Sequence, residues 1–165
     1  MPAPAVTSFH IALAIHVATI VMTFGAIFAR PLVFAVASRQ DPRSLPILHR
    51  IEYTFERYVM FPGVLVVILS GSYMAAKGSH WDAIYVWWGI GVVALLGVAL
   101  AVVMIPTARR AEAVAQRDLH SAPTGAVLGL SGEYRALTRR LGVVSSVLGL
   151  LLLITMLFMG LEKPY

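Results

Sequence analysis

His16 is the side chain in this sequence with the clearest capacity for chemistry. It lies about two turns inside a long apolar segment, where a titratable group is costly and usually serves binding or proton transfer. At 100° per residue, the helical positions of Thr19, Thr23 and Arg30 lie within about 60° of His16. These residues therefore predict one polar stripe on the first helix, and we expect that stripe to face other helices.

Three roles for His16 are open from its position alone. It could be a buried imidazole that hydrogen-bonds a neighbouring Ser or Thr, a ligand of a cofactor or metal, or part of a proton relay. The candidate cofactor-binding residues on this helix are His16, the three residues of its stripe (Thr19, Thr23 and Arg30), and His10 six positions earlier.

A second group of candidate ligands is predicted at one end of the helices. His10 opens the first apolar segment, His80 and Met74 lie near the end of the second, and Met159 lies near the end of the fourth. Imidazole and thioether groups together suit Cu(I) or haem iron. Together with His16, these four residues are the candidate metal ligands, although each methionine could equally serve core packing.

Other classes of chemistry have no support in the sequence. The chain has no cysteine, which excludes disulfides, iron–sulfur clusters and thiolate zinc sites within it. It has no phosphate-binding glycine loop, nucleophile elbow or zincin motif. The net charge is +5, but the basic residues lie in short segments between apolar spans, so no nucleic acid is expected as a partner.

Four apolar segments must position these residues. Only 13% of the 165 residues are charged, whereas a soluble domain carries about 25%. Each segment is close to the ~20 residues that cross a bilayer, and none contains Asp, Glu, Lys or Arg. We predict an all-α, integral membrane four-helix bundle in a lipid bilayer, a single domain over residues 1–165 with spans at about 9–29, 58–76, 83–105 and 141–161.

The basic residues predict the orientation of this bundle. Five arginines follow the first span and six follow the third, whereas the opposite side has only Lys77 and Lys163. Because Lys and Arg are retained on the cytoplasmic side, both basic loops are predicted to be cytoplasmic and both termini to lie outside. The expected location is the bacterial cytoplasmic (inner) membrane.

The connecting segments carry local signals of their own. Asp41–Pro42 predicts a turn before the second helix, and Pro62 predicts a kink within it. Residues 108–119 are good helix formers and are predicted to continue the third helix. Ser131 is predicted to cap the fourth helix, and the segment Ser121–Leu130 to form a flexible connection.

The polar residues around the second helix are predicted to have ordinary surface roles. His49 and His120 are expected at the cytoplasmic surface or interface. Glu52, Glu56 and Arg57 are expected to form ion pairs, both within the helix and with neighbouring helices.

Several stretches resemble the HemJ-type protoporphyrinogen oxidase family. The first contains His16, Gly25 and the run Arg30-Pro31-Leu32-Val33. The second is the run Glu56-Arg57-Tyr58-Val59-Met60-Phe61-Pro62-Gly63, followed by Gly71. The ending Glu162-Lys163-Pro164-Tyr165 is similar to the family's Lys-Pro-aromatic ending. The chain is at least as similar to the uncharacterised four-helix membrane proteins related to HemJ and to the copper-resistance protein CopD.

This resemblance implies a four-helix bundle that holds haem b, with His16 matching the ligand of the family's first helix. The third span begins Trp81-Asp82-Ala83-Ile84-Tyr85 and has neither the Lys nor the later His of HemJ proteins, so a second axial ligand is unassigned. Three functions remain open. They are a haem b-binding redox protein using His16 with His10, His80 or a methionine, a copper-handling membrane protein, and a non-catalytic accessory subunit or scaffold in a homo-oligomer or larger membrane complex.

Overall fold

The computed structural model describes residues 7–121 and 130–161, which form four long helices. These are α1 (Ser8–Gln40), α2 (Pro42–Gly78), α3 (Ile84–Ser121) and α4 (Gly132–Leu161). Helix accounts for 94% of the described residues and none of them lies in a strand, which confirms the all-α prediction. All four helices are long and apolar enough to cross a membrane, as expected of a multi-pass membrane protein.

The outer surface of the bundle is largely apolar. Large apolar side chains are exposed on every helix, among them Met22, Leu69, Val102 and Leu157. In water such a surface would favour association with other molecules, whereas hydrocarbon solvates it at no cost. The surface is therefore compatible with a bundle whose sides face lipid.

The helices pack in an antiparallel arrangement. Helix α2 contacts both α1 and α3, α3 contacts α4, and contacts between α1 and α4 close the bundle. Along the α1–α2 contact, His16 meets Ser70 whereas Arg30 meets Glu52, so residue numbers rise on one helix as they fall on the other. Consequently both ends of the described chain and the loop 79–83 share one end of the bundle, and the Asp41 turn lies at the other, here called the Asp41 end.

Two helices extend far beyond their apolar spans at the Asp41 end. Helix α1 continues through Pro31 to Gln40, where Asp41 ends it with an extended backbone conformation. The turn predicted at Asp41–Pro42 is therefore confirmed. Helix α3 runs without interruption to Ser121, which confirms the predicted continuation over residues 108–119.

The start of α4 is capped as predicted. The Ser131 hydroxyl accepts a hydrogen bond from the backbone amide of Tyr134 at 3.2 Å. The Ser131 amide donates to the Asp118 carboxylate at 2.9 Å, which ties the start of α4 to the end of α3. The connection that the sequence predicts to be flexible falls on residues 122–129, which lie outside the described part of the chain.

Two π-helical turns interrupt α2 and α3, at Glu56–Met60 and at Leu100–Met104. In each, the next backbone amide bonds the carbonyl five residues earlier instead of four. Both turns end two residues before a proline, Pro62 or Pro106, whose ring would clash with the carbonyl four residues back in a regular α-helix. The distortion predicted at Pro62 is thus present as a π-helical turn that precedes it.

Candidate functional site

The polar stripe of α1 faces α2, as its spacing predicts. His16 is half-buried, and its Nδ1 lies 2.9 Å from the Ser70 hydroxyl. Thr19, one turn further along, is also half-buried. Thr23 is buried, and it packs so closely on Gly63 that a Cβ atom at that glycine would overlap the threonine hydroxyl. Glycine at this position therefore allows the two helices to approach closely.

The hydrogen bonds around His16 determine which of its ring nitrogens carries the proton. The Ser70 hydroxyl donates its hydrogen to the Val66 carbonyl at 2.6 Å, as hydroxyls in membrane helices often do. The same hydroxyl oxygen can then only accept a hydrogen bond from His16. In the neutral imidazole, Nδ1 therefore bears the proton and Nε2 keeps a free lone pair. This is the arrangement of a metal-ligating histidine, whose second nitrogen is held by a hydrogen bond.

The His16 ring also packs closely on Gly71. A Cβ atom at this glycine would lie 3.1 Å from Cε1 of the imidazole, closer than carbon atoms normally approach. The glycine thus lets the ring lie close to the backbone of α2. His16 is held here as one axial ligand of a haem, or one ligand of a metal, would be held.

The other candidate histidines have neighbours of their own. Nδ1 of His10 lies 2.7 Å from the Thr7 hydroxyl at the start of α1, where the two residues cap the helix. His80 follows the end of α2, and its ring centroid lies 6.4 Å from that of Tyr85. Both lie at the end of the bundle opposite the Asp41 end, as predicted, but they contact different residues.

The candidate methionines lie at the same end of the bundle. The Met159 methyl group packs directly on Gly89 of α3, and Met74 is half-buried on α2. Within residues 7–121 and 130–161, no three His, Cys, Asp or Glu side chains lie close enough together to hold a metal ion. The contact of Met159 with Gly89 is sufficient to explain this methionine as a packing residue.

A buried polar cluster that the sequence did not predict lies near the Asp41 end. Arg30 forms an ion pair with Glu52, and its guanidinium also donates to the Ser145 hydroxyl on α4. His49 lies with its Nδ1 3.2 Å from Glu52 and its Nε2 3.0 Å from the Tyr134 hydroxyl. We call this group the Arg30 cluster; its members are Arg30, His49, Glu52, Glu56, Tyr134 and Ser145.

The sequence expectation for His49 is wrong. It was expected at the surface or interface, but the residue is 0% exposed, and its ring lies 4.8 Å from the Phe34 ring between centroids. The signal that could have revealed this is the spacing of His49, Glu52 and Glu56 at positions i, i+3 and i+7. This spacing places all three on one face of the helix.

The expected ion pairs around α2 form only in part. Glu52 pairs with Arg30 of another helix, as an interhelical ion pair was expected to do. Arg57 is exposed and holds its guanidinium carbon 5.8 Å over the Tyr58 ring. Glu56 is 3% exposed, and its Oε2 has no hydrogen-bond partner within the described part of the chain.

A cavity of about 280 Å³ adjoins the Arg30 cluster. Arg30, Glu52, Glu56 and Ser145 line its polar side, and apolar side chains from all four helices form the rest. The two π-helical turns border this cavity, because Glu56 and Met60 of one turn and Leu100 and Met104 of the other all point into it.

The structure therefore contains two candidate sites. The first is His16, which lies in the apolar part of the bundle and has its Nδ1 hydrogen-bonded, as metal-ligating histidines do. The second is the Arg30 cluster, which places buried charges beside an apolar cavity. Comparisons of the chain with protein-family models, with curated proteins and with solved structures found no match.

Proposed function

We propose that this protein binds haem b through His16 and takes part in redox chemistry within the membrane, as a protein of the HemJ-like type. The observation that carries the proposal is the His16–Ser70 hydrogen bond, which leaves Nε2 unprotonated. Haem iron supplies one-electron chemistry when it is bound. The protein's contribution is to hold the imidazole in one tautomer, against Gly71, where water has little access.

The remaining stripe residues have packing roles in this proposal. Thr23 is engaged with Gly63, and Arg30 is engaged with Glu52 and Ser145. We therefore assign iron binding to His16 and not to Thr23 or Arg30. The ratio of haem to protein distinguishes a site within one chain from one shared between two copies.

Absorption spectra of the purified protein test this proposal. We expect a Soret band, with sharp α and β bands after dithionite reduction, and we expect His16→Ala to abolish all of them. Ser70→Ala frees the ring and removes its proton acceptor, so we expect about 10–100-fold weaker haem binding. His10→Ala, at the exposed start of the same helix, is the matched control and should keep the spectrum.

A featureless spectrum from cells with ample haem, or bands that survive His16→Ala, would refute the haem proposal. Copper bound without porphyrin in the same preparation would support the copper-handling alternative instead.

A second candidate function is that of a non-catalytic subunit or scaffold in a larger complex. The observation that favours it is the exposure of α1: only 11% of the residues in its apolar part are buried, against 28% to 39% in the other three helices. A partner helix or a second copy of the chain could cover this face. A featureless spectrum together with stable co-purification of other chains in mild detergent would favour this function over haem binding.

We also propose that the Asp41 end is cytoplasmic and that the membrane is the bacterial cytoplasmic membrane. The support is the excess of arginine around that end. Because the chain has no cysteine, an introduced one is its only thiol. In whole cells, a membrane-impermeant thiol reagent should label Asp82→Cys readily, but should label Gln40→Cys only after permeabilisation. The reverse pattern would invert the orientation.

A further inference from the structure

The cavity beside the Arg30 cluster opens through an apolar mouth between α1 and α2. Val33 and Ile51 line it and are 46% and 58% exposed, on the apolar surface that continues past the predicted spans toward the Asp41 end. Its volume is about 280 Å³. A cavity of about 150 Å³ can hold benzene, so this one has room for an aromatic ring and several further carbon atoms.

The polar side of the cavity has one buried acceptor without a donor. Oε2 of Glu56 has no hydrogen-bond partner among the residues that the structure describes. Oε1 of Glu52, in contrast, is paired with the Arg30 guanidinium. Buried carboxylate oxygens are normally hydrogen-bonded, because leaving one without a donor is costly. A partner that donates a hydrogen bond would satisfy this oxygen of Glu56.

The charged groups that face the cavity disfavour the binding of an anionic ligand. Glu52 and Glu56 face the cavity together with one guanidinium, that of Arg30. The ring of His49 and the hydroxyl of Tyr134 do not line the cavity and are hydrogen-bonded to each other. A carboxylate ligand would place a further negative group beside Glu52 and would bring no donor.

From these observations we propose that the cavity binds an uncharged amphipathic molecule, entering from the lipid, that has an aromatic ring with a hydroxyl group. The hydroxyl donates to Glu56 or Glu52, and the ring and its apolar substituents lie against Leu96, Leu100 and Leu148. Phenols and quinols of the membrane belong to this class. The proposal is independent of haem binding, since His16 does not line the cavity.

Binding of matched probes to the purified protein in detergent tests the proposal. The probes are 4-nonylphenol and its methyl ether, which has the same apolar body but no donor. We expect the phenol to bind about tenfold to a hundredfold more tightly than the ether, because one hydrogen bond to a charged acceptor changes the affinity by about this factor. Isothermal titration calorimetry measures both affinities.

Three variants test whether the probes bind in the cavity. Glu56→Met removes the acceptor at similar volume, and it should reduce the preference for the phenol at least several-fold. Ala29→Phe places a ring at the exposed mouth and should weaken both probes alike. Glu112→Met is the matched control, because Glu112 is a largely buried carboxylate on α3 that pairs with Arg50 outside the cavity.

Three results would overturn the proposal. The first is equal affinity for the phenol and its ether, or a preference that Glu56→Met leaves unchanged. The second is binding of decanoate as tight as that of the phenol. The third is binding of decylammonium with no binding of the phenol, which would assign the cavity to an amphipathic cation.

Discussion

Replacing Arg30 with alanine is expected to lower the free energy of unfolding by about 3–5 kcal/mol, the usual effect of removing one partner from a buried ion pair. The side chains of Arg30 and Glu52 are only 14% and 8% exposed. Without the guanidinium, Glu52 would remain buried beside Glu56 with no cation. The Ser145 hydroxyl on α4 would also lose its donor, so the contact between α1 and α4 should weaken as well.

Thermal unfolding in detergent, followed by circular dichroism, measures this loss. Arg117→Ala is the matched control, because Arg117 also pairs with a glutamate, Glu133, but both of these side chains are 57% exposed. Its effect should be about 0–1 kcal/mol, as for surface pairs. The double variant Arg30→Met with Glu52→Met should recover most of the lost stability, since an apolar pair of similar volume often replaces a buried ion pair. Equal destabilisation by Arg30→Ala and Arg117→Ala would contradict the buried-pair interpretation.

His49→Ala is expected to destabilise the protein by about 2–5 kcal/mol, through lost packing and lost hydrogen bonds together. The imidazole is fully buried and packs on Phe34. It also bonds Glu52 and the Tyr134 hydroxyl, which ties α2 to α4. Its removal would leave a cavity, and it would leave both partners without their hydrogen bonds.

Two further variants separate the packing from the hydrogen bonds. Tyr134→Phe removes one hydroxyl and keeps the ring, so its effect should be about 1–3 kcal/mol and smaller than that of His49→Ala. His120→Ala changes an exposed histidine and should stay within about 0.5 kcal/mol of the unaltered protein. If His49→Ala were as mild as His120→Ala, His49 would have no part in holding α2 and α4 together.

The sequence by itself determined the four helices that are long and apolar enough to cross a membrane, and the direction in which α1 faces. Apolar segments of this length need no tertiary information, because lipid leaves the backbone no hydrogen-bond partner outside its own helix. The face of α1 followed from helical periodicity, which places His16, Thr23 and Arg30 on one side whatever packs against them. The cap at Ser131 and the position of the distortion near Pro62 were also local, since each depends on neighbours within one turn.

Only the tertiary structure decided what those faces meet. His49, Glu52 and Glu56 lie in a stretch rich in charge, which on composition alone is typical of a solvated helix end. Their side chains are at most 8% exposed, because α1 and α4 extend past their apolar spans and cover them. The tautomer of His16 likewise depends on Ser70, which lies 54 residues away in the chain. Ion pairs, tautomers and cavities arise between helices, and helical periodicity describes each helix alone, so these features required the packed bundle.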